Sequence, residues 1–305
     1  MTQELFSRLE ARGYQGRIVS IQHLAELQEE LETHYRQGLL DQELYRTYLA
    51  GFAFEPPESL PDARSLIVVA VPQPQVRITF AWQRRRVPLI VPPTYLHWRE
   101  NDQQVEDLLT EVLGSLGYRV SPMSLPKKLL AVHSGLAAYG RNNISYVPGM
   151  GSFHRLVAFC SDFPCQEDNW QALRMMVDCQ DCSACRRHCP TGAIVSERFL
   201  LDAERCITFH NENPHEFPDW LDSAGHDCLV GCLHCQRVCP QNREVWHWIE
   251  EGGEFSSQET ALLLAGPAIE RLPAETVKKL AQNDLVGLLD VLPRNLRAAL
   301  RSRSM

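Results

Sequence analysis

Two cysteine runs restrict this chain more than any other feature: Cys179-x2-Cys182-x2-Cys185-x3-Cys189-Pro190 and Cys232-x2-Cys235-x3-Cys239-Pro240. In the bacterial ferredoxin spacing three thiolates converge on one cubane, while the fourth, held by the Cys-Pro turn, reaches across to its partner cluster. The pattern therefore predicts a holder for two [4Fe–4S] clusters. By the crossing rule the first cluster takes Cys179, Cys182, Cys185 and Cys239. The second takes Cys189, Cys232 and Cys235 and needs one more thiolate, for which Cys206 and Cys228 are both candidates. A zinc ribbon also uses paired C-x2-C elements, but does not call for a third cysteine at x2 followed by x3 and proline. A disulfide framework belongs to short secreted chains, and this chain has 305 residues. Cys160 and Cys165 lie outside both runs and read as small buried fillers.

Length and composition fit an enzyme-sized protein. With 44% hydrophobic residues the chain can bury a real core, and its length suggests about two domains. The opening residues, Met1 to Gly16, are charged and lack an apolar signal core, and no stretch approaches the roughly 18 apolar residues of a membrane span. A cytoplasmic location is expected, in a reducing compartment where eleven cysteines stay available to iron, with no membrane partner. A net charge of −8 gives no general attraction to nucleic acid, and Arg84-Arg85-Arg86 reads as a solvated turn.

Along the chain, Thr2 to Arg12, Ser20 to Arg36 and Asp41 to Ala50 carry apolar residues at helical spacing, with Ser20 and Asp41 as N-caps. Ser65 to Val71 is a continuous apolar, β-branched run of the kind buried on both faces of a sheet. Val76 to Trp82 is a second strand candidate, and Val87 to Pro93 an apolar connector whose prolines exclude a central strand. Val105, Leu108, Leu109, Val112, Leu113 and Leu116 form one face of a helix ended by Gly117. Short strands follow at Tyr118 to Val120 and Leu156 to Phe159. This order predicts N-terminal helices over 1–60, an α/β sandwich over 61–170, the cluster segment over 171–245, and a helical region over 246–305. Its tail helices are expected at Gln258 to Leu264, Ala274 to Gln282 and Leu285 to Leu292.

The segment from Leu125 to Phe153 is rich in glycine, which marks backbone that turns tightly or approaches another group closely. Gly135 by itself fits the C-cap of a helix over Lys127 to Ser134. No G-x-G-x-x-G follows a strand and no phosphate-cradling GK[ST] is present, so neither a nucleotide fold nor an NTPase is indicated.

Several of these motifs together resemble epoxyqueuosine reductase. They are Ser134-Gly135-Leu136, Gly140-Arg141-Asn142, Gly151-Ser152-Phe153, Cys189-Pro190-Thr191-Gly192-Ala193, Cys206-Ile207-Thr208-Phe209, and Gly231-Cys232 with Gln236, Cys239-Pro240 and Asn242; Arg294-Asn295-Leu296 echoes the family's tail. That family is a cobalamin-dependent iron–sulfur enzyme of tRNA queuosine synthesis and a relative of the reductive dehalogenases. The resemblance implies an α+β chain: a nitroreductase-like α/β sandwich domain, a ferredoxin-like two-cluster module, a short helical tail, and cobalamin held between the first two. It makes Cys206 the last ligand of the second cluster and leaves Cys228 spare. Gly140, Arg141, Asn142, Asn143, Gly151 and Ser152 become the residues expected to hold cobalamin.

The sequence departs from the family at two positions. The family's proton-donating aspartate, fourteen residues before the Gly-Leu pair, is Ser121 here, and its glutamate six residues further on is Lys127. A hydroxyl is a far weaker acid than a carboxyl group. Ser121, Lys127 and Tyr95 are the proton donors the chain offers. The reading that follows is a cobalamin-dependent reductase whose electrons come from a low-potential donor of ferredoxin or flavodoxin type. They pass through both clusters to a small-molecule or modified-nucleoside substrate other than the family's own. Epoxyqueuosine reduction on tRNA is the alternative, and the second alternative is a ferredoxin-like carrier with no substrate.

Overall fold

The computed structural model describes residues 2–197, 199–222 and 225–303. In chain order its elements begin with α1 (Thr2–Glu10), β1 (Gln15–Ser20), α2 (Leu24–Arg36), the short α3 (Gln42–Leu44), β2 (Ser65–Pro72), β3 (Gln75–Trp82), β4 (Arg85–Val91), α4 (Trp98–Gly114) and β5 (Val120–Pro122). They continue with α5 (Lys127–His133), β6 (Ala138–Tyr139), β7 (Ser145–Tyr146), β8 (His154–Ser161), α6 (Ala184–His188), α7 (Ile207–Glu212) and α8 (His234–Arg237). The last are β9 (Ile249–Phe255), α9 (Ser257–Ala265), α10 (Ala274–Gln282) and α11 (Leu292–Ser302). They fall into two compact units: Met1–Pro72 with Trp98–Ser183 and Ser196–Ala203, and Gln73–His97 with Ala184–Val195 and Glu204–Met305.

In the first unit the sheet order is β1-β2-β8-β5 and each pairing is antiparallel. Side chains alternate across a strand, so β2 feeds two cores. Leu66, Val68 and Ala70 pack with Leu24, Leu27 and Leu130 of α2 and α5. Ile67, Val69 and Val71 pack with Leu5 and Leu9 of α1 and Val105, Leu108 and Leu109 of α4. Helices on both faces explain the unbroken apolar run, and each such side chain contributes about 1.5–3 kcal/mol by leaving water. The expected caps form, Ser20 Oγ accepting from Gln22 N at 3.3 Å and Asp41 Oδ1 from Leu44 N at 2.8 Å. The sequence reading missed β1. Its six residues carry little periodicity, and the strand exists because Gln15 to Ser20 pair with Ala70 to Ser65.

The second unit revises the expected division of the chain. β3 and β4 do not join β2. They form a sheet of order β4-β3-β9, in which β9 runs parallel to β3. β9 contains Glu250-Glu251-Gly252-Gly253-Glu254, which has no strand signature. Partners on β3 supply one: Arg77 pairs with Glu251, Arg86 of β4 with Glu254 at 2.6 Å, and Phe80 stacks on Phe255 at 5.1 Å. The two glycines are needed for packing, since a Cβ on Gly252 would stand 2.7 Å from Asn283 Oδ1 and 2.9 Å from Ile78. Pro88 sits on β4, a sheet edge, where a missing N–H is tolerated. The segment read as a connector is therefore an edge strand. Beyond β9, α9 and α10 form where expected, while the last predicted helix is replaced by a 3-10 turn at Val286–Leu288 and by α11. No helix among the described residues is long and apolar enough to cross a membrane.

One buried group makes the first unit sensitive to acid. His154, on β8, donates from Nδ1 to Gly151 O at 3.1 Å and accepts at Nε2 from Ser145 Oγ at 3.2 Å. Burial lowers its pKa from 6.5 to about 4. The unfolded chain then binds a proton that the folded chain refuses, so stability is complete above about pH 6.5 and falls as pH drops towards 4. The loss expected from this residue is about 3 kcal/mol. Urea midpoints at pH 7.5 and 5 should differ less in His154→Gln than in the wild type; equal pH dependence of the two would count against the assignment.

Candidate cluster-binding and catalytic site

Within the second unit Cys189 follows α6, Cys206 is the N-cap of α7, and Cys232 and Cys235 bracket the start of α8, which packs on α6. Burial raises the Cys206 pKa, with Cys189 contributing; burial raises Cys232 well above its ordinary value, with Asp227, Cys235 and Cys206 contributing. As anions, Cys189 thus repels Cys206, and Cys235 and Cys206 repel Cys232. Backbone N–H groups of Thr208 and Phe209 oppose this at Cys206, and that of His234 does so at Cys232. All eleven cysteines are free of disulfides. A group of partly buried, unbridged thiols with N–H donors aimed at sulfur is the donor set that an iron–sulfur cluster requires.

Cys228 differs. It is fully buried, its main chain pairs with Ile90, and burial with Asp227 and Cys232 raises its pKa well above the ordinary value. Asp227 itself was missed by the sequence reading. Its Oδ1 accepts from Leu233 N at 3.4 Å and its Oδ2 lies 3.5 Å from Arg237 Nη2, which ties the Cys232–Cys235 loop down. Asp227, Cys232 and His234 bring one ligand atom each within 4.8 Å of one another. His234 Nε2 also donates to Gly225 O at 2.9 Å. Nothing in the sequence singles out this aspartate, because its partners are main-chain and cross-loop groups.

Cys179 and Cys182 belong to the first unit, and there Arg141 takes hold of their loop. Its Nη2 donates to Cys179 O at 2.6 Å and Gln180 O at 3.2 Å, and its Nε to Cys182 O at 3.0 Å. The guanidinium expected on cobalamin is committed to the carbonyls of the first cysteine loop. Asn142 is also turned inward, donating to Tyr146 Oη at 3.0 Å. Gly140 is required by that packing, since a Cβ would stand 2.6 Å from both Asn142 Oδ1 and the Tyr146 ring. Asn143 has φ +62° and its carbonyl accepts from Lys128 Nζ at 3.2 Å. Gly149 and Gly151 turn at φ +76° and +52°, and around Gly149 an added Cβ would meet nothing within 4 Å. Buried Ser152 follows. The loop offers a corrinoid its positive-φ turns at Asn143 and Gly149 to Ser152, which fit a backbone approach; the side chains of Arg141 and Asn142 are engaged elsewhere.

The expected proton donors are unequal. Ser121 lies on β5 opposite Cys160, with its Oγ 3.5 Å from Ser59 Oγ. Lys127 opens α5, and burial, helped by the charge of Arg155, lowers its pKa while Asp102 partly offsets this. Tyr95 belongs to the second unit and donates to Glu212. Burial, then Glu212, raises its pKa well above the ordinary value, so the phenol holds its proton more tightly. It also fills the space over Gly231, where an added Cβ would lie 2.6 Å from Tyr95 Oη. Tyr95 packs the Cys232 loop, and its chemistry is that of a structural hydrogen-bond donor. Cys160 is buried in β8 with its pKa raised to about 11 by burial, and Cys165 Sγ donates to Glu167 O at 3.4 Å.

These features define an iron–sulfur protein of the double-cluster class, and residues 178–242 match the 4Fe-4S double cluster binding domain. Within that class the chain is similar to the epoxyqueuosine reductases. It is 26% identical over 249 residues to epoxyqueuosine reductase of Staphylococcus aureus, across 72% of this chain and 58% of that one. The chain thus matches little more than half the length of this relative. Its fold follows the structure of epoxyqueuosine reductase from Bacillus subtilis with a TM-score of 0.70 at 23% identity, over 99% of this chain and 81% of that one. It follows the structure of epoxyqueuosine reductase with an epoxyqueuosine-modified tRNA-Tyr stem loop with a TM-score of 0.69 at 23% identity, over the same shares.

Gly231 tests the packing under the second cysteine loop. Its φ is +65° and a Cβ would collide with the part-buried Tyr95 ring. Gly231→Ala should therefore lower stability by about 2–3 kcal/mol in urea titration, and Tyr95→Ala in the same chain should recover part of that loss. Independent, additive losses would show that the two residues do not press on each other.

Proposed function

We propose that this chain is an iron–sulfur reductase that passes electrons through two [4Fe–4S] clusters to bound cobalamin, and that its substrate is epoxyqueuosine in tRNA. The observation that carries the reading is the grouping of Cys189, Cys206, Cys232 and Cys235, none of them in a disulfide, in a chain whose fold follows epoxyqueuosine reductases almost throughout. The first cluster is assigned to Cys179, Cys182, Cys185 and Cys239, and the second to those four thiols. Bound cobalamin would supply the reducing chemistry, with Asn143, Gly151 and Ser152 holding it and Gly140 shaping the turn. A low-potential donor of ferredoxin or flavodoxin type would feed the clusters.

Opening an epoxide to an alkene releases water, so the leaving oxygen needs protons. Lys127 is the stronger source: burial brings its ammonium closer to neutral pH, where it becomes a better acid, whereas the Ser121 hydroxyl does not. The missing carboxyl groups at these two positions also support a second reading, that the machinery is kept and the substrate has changed.

Anaerobic reconstitution with iron, sulfide and cobalamin separates the readings. About eight irons per chain are expected, falling towards four in Cys206→Ala and staying near eight in Cys228→Ala. Corrinoid absorption bands should accompany the broad cluster absorption; their absence would leave an electron carrier. Reduction of epoxyqueuosine in tRNA by the loaded protein is the expected activity, and Lys127→Gln should slow it by about 10²-fold or more. Full loading with no turnover would favour the changed substrate.

A further inference from the structure

The last helix carries a polar arrangement that neither the clusters nor the proton donors use. Asn295, in the first turn of α11, is fully buried and donates from Nδ2 to Asn211 O at 2.8 Å. Asn211, also fully buried, donates from its own Nδ2 to Gly231 O at 2.7 Å. Beside them Arg294 donates to His210 O at 2.7 Å and to His215 O, while its Nε and Nη2 reach Asn295 Oδ1 at 3.2 and 3.0 Å. The guanidinium lies over the Phe217 ring, 4.0 Å from its centroid.

The carbonyls taken up are those at and just beyond the C-terminus of α7, where a helix leaves acceptors unpaired and favours a cation. The N-cap of that same short helix is Cys206, and Gly231 immediately precedes Cys232. A chain of hydrogen bonds therefore runs from α11 through Asn211 to the backbone before Cys232, and Asn211 itself lies in the helix that Cys206 caps. The arrangement is not the cheapest way to fill the space: among the described residues Asn211 Oδ1 is buried without a partner, which costs free energy that an apolar side chain would avoid.

We propose that Arg294 and Asn295 are positioning residues for the second [4Fe–4S] cluster, holding α7 so that Cys206 and Cys232 keep the spacing the cluster needs. The proposal rests on the assignment of Cys206 as the fourth ligand of that cluster. It gives α11 a part in the metal centre, although the helix contributes no ligand. Groups that orient metal ligands typically change metal retention by about 10–100-fold when removed.

The test uses the reconstituted protein and its Arg294→Lys, Arg294→Gln and Asn295→Ser variants, with iron loss to a chelator and EPR of the reduced clusters as readouts. Cys206→Ala serves as the reference for a protein lacking the second cluster. In the variants one cluster should release its iron about tenfold faster or more and change its EPR line shape, while the other keeps wild-type behaviour. Arg294→Lys, which keeps the charge, should fall between wild type and Arg294→Gln. If Asn295→Ser does not fold, the Arg294 pair decides. Equal acceleration of both clusters, or lower thermal stability with wild-type iron loss and EPR, would make the network merely structural and overturn the proposal. Cys206→Ala that retains about eight irons would instead remove the ligand assignment beneath it.

Discussion

Buried thiolates repel one another, and much of the second unit is arranged around that fact. Cys189 adds to the cost of ionising Cys206, and Cys235 and Cys206 add to that of Cys232, beyond the desolvation that both Cys206 and Cys232 meet. Without metal such a group stays protonated, because thiolate in a low-dielectric surrounding is unfavourable. Metal reverses the preference, since a bound cation stabilises the thiolates more than burial opposes them. Iron binding must therefore displace protons that these thiols hold tightly, and cluster assembly is favoured as pH rises. Short helices at the cysteines supply N–H groups towards sulfur, and Tyr95, Asp227 and Asn211 fix the loops that carry them.

Arginine does corresponding work in the first unit. Arg141 collects three carbonyls from Cys179, Gln180 and Cys182 with one planar fork. A lysine could not match that geometry, because an ammonium is a point charge without a fixed fork. The glycine beside it, Gly140, is there because the Tyr146 ring and the Asn142 amide occupy the volume a side chain would need. A motif that resembles a cofactor loop in sequence thereby acts, in its first half, as a brace for a metal loop. Only the second half, from Asn143 through Gly149 to Ser152, presents turns suited to another group's approach.

How much of this was legible depends on the range of the interaction. The cysteine spacing, the doubly buried β2, the amphipathic α4 and the caps at Ser20 and Asp41 are local or strictly periodic, and the structure has them where the sequence predicts them. The domain boundaries were not legible, because β3 pairs with a strand lying about 170 residues later that has no strand composition of its own. Tyr95 shows the same limit within the site. As a sequence it is a titratable residue available for proton transfer; only burial beside Glu212 turns it into a packing residue.

The sequence by itself determined the chemistry of the centre. Thiolates at x2, x2 and x3 before proline restrict the metal, the nuclearity and the crossing of ligands, because those follow from bond lengths and chain geometry over a few residues. Tertiary structure decided which neighbours serve that chemistry. Arg141 on the first cysteine loop, Asp227 under the second, and Arg294 and Asn295 at the end of the Cys206 helix are all ordinary polar residues in sequence. Their roles come from carbonyls and amides brought to them by folding from positions 6 to 84 residues away. A hydrogen bond reads only distance and direction in space, and neither is written in the local order of the chain.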